Sequence, residues 1–415
     1  MIHHPLTQLY RMRLAHLLTP ISASSRENHI AEPKGIPNLV GKDTLYAAAP
    51  TLAELASAQI DAIGPNAHVL IAAAGQRRGH AIGAVDHAGG FVQIIAALQA
   101  LSDGRQIAAV GHRIVHGGAG IDGPRVLNDA VMAELAALAP LAPLHQPHNL
   151  AGVHATRKAF PTALQVGAFD TAFHRGHDRV QDMYALPRRY YAQGIRRYGF
   201  HGLSYASIAG QLAVAHPDLA QGRVIVAHLG NGASLCAMAG GRSVASSMGF
   251  SALDGLPMGT RVGQLDPGVV LYLLGQGMDA AALTRLFYEE SGLKGLSGIS
   301  HDMRVLLASD ASEAADAIAY FTARLTREIG AMAAVLGGID VLVFTGGIGE
   351  NAAPIRARAL EPLAFIGLEV DGPANAAHAA VIHKGAVPIL VMATDEERII
   401  AQAARDALLT RGGAG

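Results

Sequence analysis

Two stretches of the chain, residues 224–234 and 341–351, run from a β-branched apolar segment straight into a glycine-rich turn that carries asparagine. The turns read HLGNGAS (residues 228–234) and TGGIGEN (residues 345–351). Phosphate oxygens need close approach of several backbone N–H groups, and glycine permits that approach where a Cβ would block it. One such turn is better explained by a tight reversal with no ligand. Two in one chain favour nucleotide binding over that reading. The second turn opens onto Pro354 and an expected helix, whose N-terminal dipole favours anions.

The rest of the chain alternates in the same way. Residues 68–72, 107–110, 223–227, 341–344 and 387–391 are short β-branched-rich runs flanked by turn residues, so they read as strands. Residues 92–101 read as a helix. Over residues 313–336, Ile318, Phe321, Leu325, Ile329, Met332 and Val335 recur at three and four residues and predict one apolar helix face. Ser312 is positioned to cap that helix, and Gly337-Gly338 to end it. Asp266 followed by Pro267 predicts a second capped helix. Strands alternating with helices mean an α/β architecture. Residues 1–56 show no clear helix or hairpin, because prolines at 5, 20, 33, 37 and 50 interrupt them.

Length and composition narrow the function. At 415 residues, two domains are expected. With 32 Lys+Arg against 33 Asp+Glu, no basic excess exists for non-specific nucleic-acid binding. There is no Trp and only 5% aromatic residues, which argues against a base-stacking platform. The single cysteine, Cys236, allows no intramolecular disulfide and fits a reducing compartment. No apolar run is long enough to span a bilayer. The first 26 residues hold arginines and no acid, as a transit segment does, but their apolar stretch is short; the cytoplasm is the expected location.

The common nucleotide motifs are absent. No G-x-G-x-x-G follows a strand, and the approach to a P-loop at Gly35…Gly41-Lys42-Asp43 has one residue too many and Asp in place of Ser or Thr. What the chain has instead is Arg, His and Asp concentrated in short motifs, three of them with glycine: GHRIVHGG (111–118), APLHQP (142–147), FDTAFH (169–174), YGFHG (198–202) and MGTRVG (258–263). Phosphoryl transfer uses these types. Arginine forks grip carboxylate or phosphate in two bonds. Histidines donate to oxygens that gain charge in the transition state. Carboxylates hold magnesium or its waters. Any single histidine has a plainer reading, a bond to a neighbouring carbonyl, and His112, His148 and His177 are assigned to it. Asp302 and Arg304 read as a surface salt pair or a nucleotide contact. Glu396 and Glu397 read as a solvated helix start or a metal ligand. No H-E-x-x-H occurs, so a zinc hydrolase is disfavoured.

At these motifs the chain resembles the acetate and propionate kinase family. Further strings carry the resemblance: RRYGFHGLSY, SMGFSALDGLPMGTRVGQLDPG, SGLKGLSGISHDMR, FTGGIGENA and TDEERIIA, all in family order over about residues 57–405. The resemblance implies two actin-like, sugar-kinase-like α/β domains with an interdomain active-site cleft. The N-terminal domain would comprise residues 1–170 with a returning helix at 395–415, and the nucleotide-binding domain residues 171–394. It implies ATP-dependent phosphorylation of acetate to acetyl phosphate, with Mg2+ or Mn2+, in a homodimer that binds neither nucleic acid nor membrane. By motif, Arg113 would bind the substrate carboxylate, and Val115, Leu144 and Phe200 would wall the acyl methyl. Asp170, His201, Arg261 and His145 would be catalytic. His228, Leu229, Gly230, Asn231 and Gly232 would hold ATP, with Asp302, Met303 and Arg304 and with Gly347, Ile348, Gly349, Glu350 and Asn351. Glu396 would serve the metal.

Two departures shape the expectation. The family opens on Asn-x-Gly-Ser-Ser-Ser-x-Lys, and Ile21-Ser-Ala-Ser-Ser25 is only a faint echo of it. Without that loop, a nucleotide-binding homologue with impaired catalysis is the rival reading. Ala252 stands where the family usually has proline, and a smaller residue there would admit propionate or another short acid. Val262 and Gln264 also replace the commoner Ser and Asp.

Overall fold

A strand buried on both faces is apolar along most of its length, and Val341–Thr345 is buried at all five residues with four of them apolar. Around such strands the chain builds two sheets. The computed structural model describes residues 12–18, 39–47, 52–61, 64–73, 76–85, 87–102, 104–143 and 145–412. The chain divides into two units. One comprises Met1–Gly117, Gly123–Ala172 and Glu396–Gly415, the other Gly118–Asp122 and Phe173–Asp395.

The first unit holds strands β1 (Met12–Leu18), β2 (Leu39–Ala47), β3 (Glu54–Asp61), β4 (Gly64–Ala73), β5 (Gln76–Val85), β6 (Ile107–Ile114), β7 (Arg125–Val126) and β8 (Leu164–Phe169). They form one sheet in the order β5-β4-β3-β2-β1-β6-β8-β7. β2 to β5 pair antiparallel, whereas β1 runs parallel to β2 and β6 parallel to β8. The parallel β6–β8 pair carries the functional end: its register runs to Ile114 opposite Phe169, so Arg113 and Asp170 emerge together. Leu45, Ile60, Val69, Ile94, Leu98, Ile107, Val110 and Phe160 make the core. Each such side chain contributes about 1.5–3 kcal/mol by leaving water.

The second unit holds β9 (Arg223–Leu229), β10 (Ala233–Ala239), β11 (Arg242–Ser246), β12 (Val341–Thr345) and β13 (Ile389–Val391), in the order β11-β10-β9-β12-β13. β9 and β12 are parallel neighbours, with Thr345 opposite His228, so the two glycine-rich segments leave the sheet side by side. The helix Ser312–Leu336 covers the sheet with Ile318, Phe321, Leu325 and Ile329 fully or almost fully buried.

Several expectations need correcting. Residues 1–56 contain β1, β2 and the start of β3, where no regular element was expected; the prolines on which that expectation rested lie outside the described residues. Ala311, not Ser312, occupies the N-cap of the long helix and makes no side-chain cap; Ser312 Oγ turns to Glu313 instead. Val335 lies 45% exposed, off the buried face, where the last turn passes the edge of the core. Gly337 ends the helix in the left-handed region at φ 68°, and Asp266 caps Pro267–Gly275 by accepting from the Gly268 N–H, both as expected. Among the described residues no helix is long and apolar enough to cross a membrane.

Candidate functional site

In the first unit the site is built around Arg113. Its Nε and Nη2 both donate to Asp170 Oδ2, at 3.0 and 2.7 Å. Its Nη1 stands 3.8 Å from Glu396 Oε2. Glu396 opens the helix Glu396–Gly412, which crosses β1, β6 and β8. Gly111 permits that crossing: a Cβ there would meet Ile400 Cγ2 at 2.5 Å and Ile400 O at 2.8 Å. Burial opposes the charge on Arg113, but the carboxylates of Asp170 and Glu396 outweigh it and hold the guanidinium protonated. Val115 is buried, with its N–H on Asn149 Oδ1, and the Gly117 N–H donates to Thr171 Oγ1. His145 caps the helix Gln146–Ala159 through its carbonyl, which leaves its imidazole partly exposed.

In the second unit two histidines stack. The rings of His201 and His228 lie 4.3 Å apart at 24°. His201 sits in the left-handed region at φ 58°, at the N-cap of the helix Gly202–Ala215. Its Nδ1 meets Ser234 Oγ at 2.8 Å, and His228 Nδ1 meets Ser204 Oγ at 2.8 Å. Both rings border the turn 230–232, which the Gly230 N–H closes on Gly232 O. A Cβ on Gly232 would stand 3.1 Å from His201 Nε2 and 3.6 Å from Arg261 Nη1, so His201, Arg261 and this turn meet at one point. Arg261 Nη1 also donates to Ala252 O at 3.3 Å. Asn231 joins the turn to the next loop: its carbonyl accepts from Gly259 N.

Beside this turn, Gly346–Asn351 forms a short helix directly after β12, where the sequence suggested an open turn. Gly346 has φ 80°, and a Cβ there would meet Leu229 O at 2.7 Å. Glu350 Oε1 accepts from the Gly346 N–H, and Asn351 Nδ2 donates to Gly347 O. Arg356, fully buried, holds the far end: it donates to Gly349 O, Glu350 O and both oxygens of Asn375.

Comparison with known proteins decides the lineage. The acetokinase family profile matches residues 41–402. The chain belongs to the acetokinase family. An acetate kinase of Methylocella silvestris is 54% identical over 319 residues, 76% of this chain and 79% of that protein. The crystal structure of an acetate kinase from Porphyromonas gingivalis superposes with a TM-score of 0.77 at 34% identity, over 87% of this chain and 94% of that one. A propionate kinase from Francisella tularensis superposes at 0.82 and 31% identity, over 94% and 98%.

Most residues expected from the acetokinase motifs fall into these two clusters. Arg113, Asp170 and Glu396 come together in the first, and His201, His228 and Arg261 in the second. Phe200 is buried beside His201 and belongs to the second unit, Val115 to the first. Leu144 and the echo at Ile21–Ser25 lie outside the described residues. Glu396 and Glu397 are buried, which overturns the solvated reading of that helix start. Asp302 caps the helix Met303–Leu307 and binds Arg304 at 2.5 Å. His112 meets the side-chain carbonyl oxygen of Gln165, whereas His177 meets Ser243 Oγ, a hydroxyl where a carbonyl was expected. Ser234, Tyr205 and Arg356 were not singled out; Ser234 and Tyr205 each ended a recognised motif, but nothing local marks a buried arginine.

Proposed function

We propose that this protein transfers the γ-phosphoryl group of ATP to acetate, giving acetyl phosphate and ADP. The observation that carries the reading is the Arg113–Asp170–Glu396 cluster on the family's own motifs: a largely buried guanidinium presented beside two carboxylates. The acetate kinases at up to 54% identity favour acetate over a longer acid.

Acetate is already ionised near neutral pH, so it needs no base. Its oxygen attacks the γ-phosphorus in line, the bond to the β-phosphate oxygen breaks, and ADP departs with the electron pair. Arg113 binds and orients the carboxylate, with the buried Val115 of the same unit beside it for the methyl. Asp170 fixes the guanidinium through its two hydrogen bonds and acts by orientation, not by taking a proton. His201, Arg261 and His145 donate to phosphoryl oxygens as charge spreads over them. The turn 228–232, residues 302–304 and residues 347–351 hold the nucleotide.

Among the described residues no group of three or more His, Cys, Asp or Glu is placed to hold a metal. Two buried carboxylates are nonetheless the donor set magnesium uses, since it keeps waters and phosphate oxygens as its other ligands. Asp170 and Glu396 would hold Mg2+ or Mn2+, which supplies neutralisation of the β- and γ-phosphate charge. A homodimer in the cytoplasm completes the reading. The apolar helix Pro267–Gly275, with Leu271 and Tyr272 more than 60% exposed, supports self-association.

Incubation with ATP, Mg2+, acetate and hydroxylamine tests the reaction. Acetyl hydroxamate that requires all components is expected. Nucleotide-induced thermal stabilisation without hydroxamate would instead identify a nucleotide-binding homologue that does not catalyse.

A further inference from the structure

Behind His201 lies a chain of hydroxyls. His201 Nδ1 meets Ser234 Oγ at 2.8 Å, and Ser234 Oγ meets Tyr205 Oη at 2.5 Å. Ser234 stands on β10 opposite His228, and Tyr205 lies one helical turn after His201, its N–H on the His201 carbonyl. Both hydroxyl-bearing residues are fully buried.

Counting protons gives the chain a direction. Among the described residues, Ser234 Oγ is the hydrogen-bond partner of the Tyr205 hydroxyl, and burial raises that phenol well above its ordinary range, so it keeps its proton. The phenol therefore donates to Ser234; otherwise a buried O–H would have no acceptor. Ser234 then has one proton left to give, and His201 Nδ1 is the acceptor in reach. A nitrogen that accepts carries no proton, so the proton of the neutral ring sits on Nε2, the atom beside Gly232 and Arg261. That orientation aims an N–H donor at the point where the turn, Arg261 and His201 meet. Were the chain reversed, Nε2 would be a lone pair facing phosphoryl oxygens and would repel them.

We infer that Tyr205 and Ser234 are positioning residues that hold His201 as a neutral imidazole protonated on Nε2, ready to donate to the transferring phosphoryl group. The inference deepens the phosphotransferase reading and rests on it for the role of His201; the tautomer itself does not.

Long-range 1H–15N spectra of the full-length protein, with His201→Gln used to assign the ring, read the tautomer directly. The wild type should show Nε2 protonated and Nδ1 bare. Ser234→Ala should abolish that preference, and Ser234→Thr, which keeps the hydroxyl, should restore it. In the hydroxamate assay Ser234→Ala should lower kcat about 10- to 100-fold with both KM values within about threefold, and Ser234→Thr should recover most of it. Tyr205→Phe provides a second variant should Ser234→Ala not fold, and should shift the spectrum and lower kcat in the same direction. A wild-type ring protonated on Nδ1, or folded Ser234→Ala and Tyr205→Phe proteins within about twofold of wild-type kcat, would overturn the inference. An unchanged kcat in His201→Ala would instead overturn the functional reading, while the spectrum still decides the tautomer.

Discussion

A histidine buried without a carboxylate beside it has to stay neutral, and this ties stability to pH. Burial lowers His112 to about 4 and His174 to about 3, against 6.5 for a free side chain. His112 donates to Gln165, and His174 bridges Ser243 and Phe200 O. Below pH 6.5 the unfolded chain takes up protons that the folded one refuses. Stability from these two residues is therefore whole above pH 6.5 and lost as pH falls, by about 3 kcal/mol each at pH 4. Urea unfolding from pH 7 to 4 should show this loss, and His112→Gln should recover about half of the part due to the pair. The residues proposed to do chemistry were legible because their types are uncommon together: Arg113, His201 and Arg261 lie within two residues of glycine in their motifs, and Asp170 lies in FDTAFH. Their supports were not. Tyr205 and Ser234 become partners only when a helix and a strand pack, and no spacing in the sequence encodes that contact.

Elements carry these residues, and glycines set how closely elements approach. Gly111→Ala would drive a Cβ into the backbone of Ile400 and push the helix Glu396–Gly412 off β6. We expect a loss of about 1–3 kcal/mol in urea unfolding, together with a higher Mg2+ requirement, because Glu396 moves with the helix. Arg356 does comparable work for the helix Gly346–Asn351. Burial lowers its guanidinium to about 10, and its hydrogen bonds go to backbone oxygens, Asn375 and His378. Arg356→Met should raise KM for ATP about tenfold or more while leaving KM for acetate within about twofold, measured by initial rates; equal changes in both would argue for general loosening. The strands at β9 and β12 were readable as β-branched-rich apolar runs. β1 and β2 were not, because prolines that flank a strand look, in one dimension, like prolines that forbid it.

At the scale of the molecule, two sheets of different topology each present one cluster, and the glycine-rich segments share the β9–β12 edge of the second. The motif order along the chain made the family readable; which side chains touch within each unit was not, since Arg113 and Asp170 are 57 residues apart and Arg113 and Glu396 are joined by a returning helix. An exposed apolar helix also has a consequence. Leu271→Glu with Tyr272→Glu should halve the mass seen by light scattering if Pro267–Gly275 is the self-association surface; an unchanged mass would place that surface elsewhere. The most direct measurement of the whole account is a 31P NMR time course with ATP, Mg2+ and acetate. It should show an acyl phosphate resonance growing as ADP appears, slowed at least about a hundredfold both by Arg113→Leu in the first unit and by His201→Ala in the second. No acyl phosphate from the wild type, or full activity in either variant, would contradict it.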